Sequence, residues 1–242
     1  MRMKDDHMMN GQLKPGYNLQ ASSENQFITN LTIHDSPTDP NTLKEHLESF
    51  ESKHDSLPEI ITADAGYGSN ENYTHLEENN IEGFVKYPGL HREEKGNLSP
   101  YHQDSLTYNE DENNFICPAG KKMVHLDTIE RKTKSGFAQT IDRYKAKGCR
   151  SCPLKHECYK GKNNRRIDVN HELRRQKKDV KERLYSEEGI KKRKRRCWEI
   201  ETFFGDTKQN RGFTRFNLRG MANVLTESLM MAMSYNIRKM SV

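Results

Sequence analysis

The stretch Glu59-Ile60-Ile61-Thr62-Ala63-Asp64-Ala65-Gly66-Tyr67-Gly68-Ser69 decides the reading of this chain. A short apolar run introduced by Pro58 ends on a carboxylate. Two glycines then permit a tight turn that leaves the carboxylate free at a sheet edge. In open α/β sheets, ligands and catalytic groups collect at the carboxyl ends of strands. Magnesium often takes only one or two carboxylates, plus water and phosphate, and Asp64 suits that role. An aspartate that simply opens a turn fits the same pattern equally well.

On the amino-terminal side, Tyr17 to Gln20 and Phe27 to Ile33 read as two strands joined through Ser22-Ser23-Glu24-Asn25. Asn41 to Lys53 carries Leu43, Leu47 and Phe50 at helical spacing. On the other side, Glu71 to Asn79 reads as a helix capped by Ser69, and Gly83-Phe84-Val85-Lys86 as a short strand ended by Pro88. Residues 1–88 therefore form the first part of an α/β (α+β) core. Residues 89–175 are polar, weakly periodic and hold four of the five cysteines, which predicts an insertion with its own small fold. Residues 176–242 read as helical. The last helix, Met221 to Met240, places Met221, Val224, Leu225, Leu229, Ala232 and Ile237 on one stripe expected to face the core.

Apolar residues make up 32% of the 242 and charged residues 31%, so the core is modest and the surface very polar. No apolar run approaches the ~18 residues of a membrane span. The opening Met1-Arg2-Met3-Lys4-Asp5-Asp6-His7 lacks the apolar stretch of a secretory signal. These features predict a cytoplasmic protein with no membrane partner. The net charge of +5 conceals an asymmetry: Arg143 to Arg196 holds 21 Lys and Arg against 7 Asp and Glu. A field of one sign on that scale predicts a polyanionic partner, most commonly nucleic acid. A solvated, highly charged helix pair is the alternative.

A second carboxylate lies in Cys197-Trp198-Glu199-Ile200-Glu201-Thr202-Phe203-Phe204-Gly205-Asp206-Thr207-Lys208. Glu201 and Lys208 are seven apart, which puts them on one face of an ideal helix, with Phe204 between them as an anchor. The upstream run Lys191-Lys192-Arg193-Lys194-Arg195-Arg196 can neutralise several phosphates. An exposed, ion-paired helix fits these residues as well.

Lys14-Pro15-Gly16-Tyr17-Asn18, the segment 62–69 and Glu201 through Gly220, taken in this order, resemble the DDE transposases of bacterial insertion sequences. The likeness is closest to members with an RNase-H-like core and a cysteine-bearing insertion. It implies that three carboxylates bind two divalent ions, Mg2+ or Mn2+. One ion activates water or a 3′ hydroxyl, and the other stabilises the leaving oxygen. It assigns Asp64 and Glu201 to the metal and Lys208 to double-stranded DNA near the cut. Arg193, Lys194, Arg195 and Arg196 are expected to grip the DNA backbone at the transposon ends and target, and a homodimer is one assembly the family admits. The family's first aspartate ends a strand expected before Tyr17. Asp5 and Asp6 sit in a polar context that does not read as strand, which predicts an incomplete RNase-H-like core and a truncated enzyme. The rival expectation is an inactive DNA-binding remnant or regulator. Relatives also carry an arginine four residues before the glutamate. Cys197 occupies that position here, and Arg195 or Arg196 can cover the role.

Cys117, Cys149, Cys152 and Cys158 complete the reading. A pair separated by two residues can chelate one tetrahedral ion, and two further thiolates can close the site. The resemblance implies the same four-cysteine pattern, so structural zinc is expected, with an iron–sulfur cluster or unmetallated thiols as alternatives. The basic flank Arg143, Lys145, Lys147 and Arg150 favours phosphate contact over base reading. Cys197 reads as a buried, packed residue.

Overall fold

The computed structural model describes residues 2–5, 8 and 11–241, and the chain divides into two units. One combines Met1–Tyr87 with Asp179–Val242, and the other is Pro88–Lys178.

In the first unit, β1 (Arg2–Asp5) pairs antiparallel with β2 (Leu13–Gly16). Asp5 therefore ends a strand, contrary to the non-strand expectation. Pairing with β2 supplies the backbone hydrogen bonds that a polar sequence does not advertise. Asp6 lies outside the described residues.

Next come β3 (Asn18–Glu24) and β4 (Phe27–His34), an antiparallel hairpin with a bulge between Ser22 and Ser23. The turn is Asn25-Gln26 rather than the expected Ser22 to Asn25. Its two residues lie at φ 50° and 67°, the left-handed pair that a tight two-residue turn requires. Contacts from distant helical residues fix this tip. Glu199 accepts from Gln26 N at 2.5 Å, Arg195 donates to Asn25 Oδ1 at 2.5 Å, and Lys239 donates to Gln26.

The two faces of the hairpin differ in chemistry. α1 (Leu43–His54) brings His46 to the polar residues of β3 and β4. The His46 ring lies 2.6 Å from Ser22 Oγ and 2.7 Å from Thr32 Oγ1. Burial, and then the nearby His34 and Lys53, push the His46 pKa down to about 4. The neutral ring has one donor and one acceptor, and the two hydroxyls can satisfy both. Ile28 and Leu31, with Leu19 and Ala21, belong to the apolar cluster that receives the carboxyl-terminal helices.

β5 (Ile60–Ala63), α2 (Asn70–Glu78) and β6 (Glu82–Val85) form a βαβ unit with parallel strands. Ser69 caps α2 by accepting from Asn72 N at 3.2 Å. Among the described residues, the strands of this unit form three separate pairs, β1–β2, β3–β4 and β5–β6. The mixed α/β character is present, but the continuous sheet that an RNase-H-like core implies is not seen among them.

The second unit contains α3 (Leu90–Glu94), β7 (Thr107–Asn109), β8 (Asn114–Ile116), β9 (Lys122–Lys132), β10 (Ala138–Ala146), α4 (Lys155–Cys158) and β11 (Arg166–Val169). Its strands make an antiparallel sheet in the order β11-β10-β9-β8-β7. Leu106, Phe115, Met123, Tyr144, Ile167 and Val169 form the core. The register shifts where Arg143 and Tyr144 face Asp127 and His125, so Leu126 of β9 is an extra, bulged residue, while Tyr144 and Ala146 of β10 point into the core. That breaks the period-two pattern and explains why the segment reads as weakly periodic.

α5 (His171–Tyr185) continues from this unit into the first and starts five residues before the helical region expected from residue 176. α6 (Glu187–Glu199) is capped by Ser186, and α7 (Glu201–Gly205) leads into a π-helical turn over Asp206–Asn210. α8 (Met221–Met240) has the expected span, but its buried side is Val224, Ser228, Ala232 and Tyr235. Met221, Leu229 and Ile237 are exposed, which corrects the predicted stripe. Small Ser228 and Ala232 let the helix approach β4 closely. Asn236 then exchanges two hydrogen bonds of 2.9 Å with the backbone of Ile28. No helix among the described residues is long and apolar enough to cross a membrane.

Candidate active site

Asp64 stands at the carboxyl end of β5, where Ala63 pairs with Val85 of the parallel neighbour. Its backbone is extended, and the chain then turns through a 3-10 segment over Ala65–Tyr67. Gly68 makes this loop possible by close approach. A Cβ there would lie 2.3 Å from Lys86 O and 2.6 Å from Tyr87 Cα. α6 passes beside β5 and β6, with Lys192 Nζ 5.3 Å from the centre of the Phe84 ring.

This packing brings Arg196 to the loop. Its Nη2 lies 3.4 Å from Asp64 Oδ2 and 3.6 Å from Glu201 Oε1. The two carboxylate oxygens are therefore within about 7 Å of each other. Two ions about 3.5–4 Å apart, each about 2 Å from its oxygen ligands, span a comparable distance. Both carboxylates are more than half exposed, at 56% and 59%, whereas Arg196 is at 19%. The acids are thus open to solvent, and the guanidinium is held beneath them.

Two further residues belong to this neighbourhood and were not singled out from the sequence. Asp39 Oδ1 accepts from Asn18 Nδ2 at 3.0 Å and Gln20 Nε2 at 3.2 Å. Its Oδ2 approaches Gly66 so closely that a Cβ there would lie 2.8 Å away. Asp39 thereby ties β3 to the Asp64 loop. The pKa of Tyr67 is raised, first by burial and then by Asp39 and Asp64, with Arg196 opposing. Its phenol stays protonated. Asp39 lies between Pro37 and Pro40 and carried only a turn signal. Tyr67 stood inside the quoted loop without an assigned role.

The 191–196 run does not present one basic face. Lys192 pairs with Glu188 at 3.2 Å, and Arg193 lies over the Tyr185 ring at 5.2 Å. Arg195 bonds Glu199 at 2.7 Å. Arg196 faces the acids. Lys191 and Lys194 are exposed, with no ion-pair partner among the described residues. Of the two arginines considered for the position before Glu201, Arg196 is the one that reaches both acids.

Phe203 rather than Phe204 is the fully buried anchor of α7, packed edge-to-face on Tyr235 with ring centres 5.3 Å apart. Beyond it the π turn takes more residues per turn than an α-helix, so Lys208 does not stack directly above Glu201 as an ideal helix predicts. Lys208 Nζ instead lies 5.4 Å from the centre of the Phe204 ring. Asp206 anchors the turn through Arg238 at 2.7 Å and Arg211 at 3.5 Å. Desolvation opposes its ionisation, but the Asn210 hydrogen bond and the two arginines outweigh it and hold its pKa below the usual value. Tyr17 donates no distant charge but closes the arrangement, accepting from Gly220 N at 3.1 Å and packing on Phe216. The three motifs of the sequence thus converge within the first unit. Cys197 and Trp198 are exposed, Trp198 to 71%, which overturns the expectation that Cys197 is buried.

In the second unit Cys117, Cys149, Cys152 and Cys158 line one small cavity of about 20 Å³. Buried Arg165 donates from Nη1 to Cys158 Sγ at 3.0 Å and from its backbone N to Cys149 Sγ at 3.4 Å. Among the described residues, no group of three or more His, Cys, Asp or Glu side chains is arranged to hold a metal ion.

A family model described as a transposase DDE domain matches residues 116–241. The chain belongs to the transposase DDE domain family. The matched span contains Glu201 and all four clustered cysteines, and Asp64 lies before it. No curated protein and no solved structure matches the chain.

Proposed function

We propose that this chain takes part in DNA transposition by phosphodiester hydrolysis and strand transfer, with Asp64 and Glu201 as its metal-binding carboxylates. The observation that carries the reading is the shared approach of both acids to Arg196. Two exposed carboxylates, with water and a substrate phosphate, form the hard-oxygen set that Mg2+ or Mn2+ accepts. The ions, when bound, supply Lewis-acid activation of the attacking oxygen and charge relief at the leaving one. Arg196 holds the acids apart from solvent cations until substrate arrives, and then offers its guanidinium to a phosphate oxygen. Asp39 positions the Asp64 loop. Lys208, Lys194 and Lys191 contact the backbone of double-stranded DNA, and Arg193 and Arg195 support the helix that presents them.

The four cysteines would hold a structural zinc ion. All four line one cavity and thiolates are the usual ligands of closed zinc sites, so the ion would draw together sulfurs that do not form a metal-ready group among the described residues.

The test is divalent-ion binding and cleavage together. Mn2+ binding followed by electron paramagnetic resonance should weaken in Asp64→Asn and in Glu201→Gln. Either change should abolish cutting of labelled duplex while leaving DNA binding largely intact. Unchanged Mn2+ affinity in both variants would sink the shared-metal reading.

A second reading is favoured by one observation: only two carboxylates meet, and no third joins them among the described residues. On that reading the chain is a non-cleaving DNA-binding remnant or a regulator of a complete transposase. DNA binding without any cleavage of its own, together with inhibition of an active relative, would select it.

A further inference from the structure

We propose that the cleft lined by Lys145, Arg150 and Arg166 in the second unit is a binding site for the DNA phosphodiester backbone, distinct from the Asp64–Glu201 site. That DNA is the source of the phosphates rests on the family reading above. The cleft itself is carried by geometry.

Lys145 on β10 and Arg166 on β11 are direct cross-strand partners. Like charges facing each other in a sheet are destabilising. Two residues along the same strands the matching pair is Arg143 and Asp168, of opposite sign. Arg143 also reaches Asp127 at 3.5 Å, and Arg131 reaches Asp168 at 2.9 Å. The sheet therefore neutralises its charges at one register position and leaves two cations facing each other at the next. Lys145, Arg150 and Arg166 have no ion-pair partner among the described residues.

These three cations share a cleft of about 700 Å³ with Tyr159, Asn163 and Asn164. No carboxylate lines it. From Lys145 to Arg166 the sequence holds eight Lys and Arg against the single acid Glu157. The walls are fixed. Tyr159 packs on Gly161 so closely that a Cβ there would lie 2.4 Å from its ring. Asn164 Oδ1 accepts from Cys149 N at 3.0 Å. Arg165, between the cleft residues, points inward and donates to Tyr101 O at 2.6 Å, so the alternation of the strand sends Arg166 to the cleft. A rigid, acid-free recess with several unpaired cations suits consecutive phosphates, which carry charge but no sequence information. Arg143 and Lys147, grouped with these residues by sequence, stand outside this lining.

The test is binding of a fluorescein-labelled duplex of arbitrary sequence to the full chain, without added Mg2+ or Mn2+, across a salt series. Omitting Mg2+ and Mn2+ removes any metal-bridged contact at Asp64 and Glu201, and the variants separate this cleft from the lysines of the first unit. The double variant Lys145→Gln/Arg166→Gln should bind on the order of tenfold more weakly per lost contact at 0.1 M salt, with the slope of log affinity against log salt reduced by about 2. Its melting temperature should be unchanged or higher, because the facing like charges are gone. Arg150→Gln, on a loop, should reduce the slope by about 1 and serves if the double variant fails to fold. Lys44→Gln, an exposed lysine of α1, should leave both quantities unchanged. Wild-type affinity and slope in a folded Lys145→Gln/Arg166→Gln or Arg150→Gln variant, or an equal effect of Lys44→Gln, would overturn the proposal.

Discussion

Arg196 Nη2 lies 3.4 Å from Asp64 Oδ2, joining the end of a strand to a helix 132 residues further along the chain. The same nitrogen is 3.6 Å from Glu201. A resident cation between two acids competes with any metal ion for them. Arg196→Gln is therefore expected to tighten Mn2+ binding by a few-fold, the scale of a solvent-exposed ion pair, while weakening DNA cleavage. Weaker Mn2+ binding in this variant would show that the guanidinium supports the metal instead of competing with it.

For the acids themselves, the expected cost is in chemistry. A metal ligand lost from the site removes several kcal/mol of transition-state stabilisation, on the order of a 10³-fold loss of rate. Single-turnover cleavage by Asp64→Asn and Glu201→Gln checks this. A loss of tenfold or less in either would assign that residue a lesser role.

The buried ring of His46 gives the fold a pH dependence. Its pKa falls from an ordinary 6.5 to about 4 on folding. The unfolded chain thus binds the proton more readily, and stability rises with pH across this interval. The contribution is complete above pH 6.5 and is lost as pH falls toward 4, amounting to about 3 kcal/mol. Urea unfolding at several pH values should show the slope, and His46→Gln should flatten it. An unchanged slope in that variant would place the titration elsewhere.

Gly68 is expected to tolerate no side chain. Gly68→Ala drives a methyl group into the backbone of Lys86 and Tyr87, and overpacking of this kind costs about 1–3 kcal/mol. Phe203→Ala, which empties a fully buried ring position, should cost about 3–5 kcal/mol. Thermal melts of both variants measure these values, and wild-type melting of Gly68→Ala would mean that the loop can relax.

If the four cysteines hold zinc, elemental analysis of the purified chain should give about one atom per molecule, and Cys149→Ser/Cys152→Ser should abolish it. A metal-free, folded preparation would refute the site.

Much of the local structure was legible in the sequence, because it is local. The βαβ segment from Ile60 to Val85 is marked by apolar runs, a Ser cap and glycines, and it takes the expected form. The hairpin of β3 and β4 was visible in its strands but not in its turn, since Gln26 has no intrinsic preference for positive φ and is held there by Glu199 and Lys239. The sheet of the second unit was hidden by the bulge at Leu126 of β9, which breaks that strand's alternation. The face of α8 was misread because its methionines are apolar all round, and contact with β4 selects the side carrying Ser228 and Ala232. The choice of Arg196 over Arg195, and the π turn that rotates Lys208, depend on packing between distant segments. No spacing rule contains that information.

Trp198 is the only tryptophan in the chain, three residues before Glu201 and 71% exposed. The molecule thus carries a built-in optical probe on the helix that bears its candidate catalytic carboxylate. Intrinsic fluorescence of the unlabelled chain should be red-shifted and readily quenched by iodide, and whatever covers α6 will be read directly as a change in that emission.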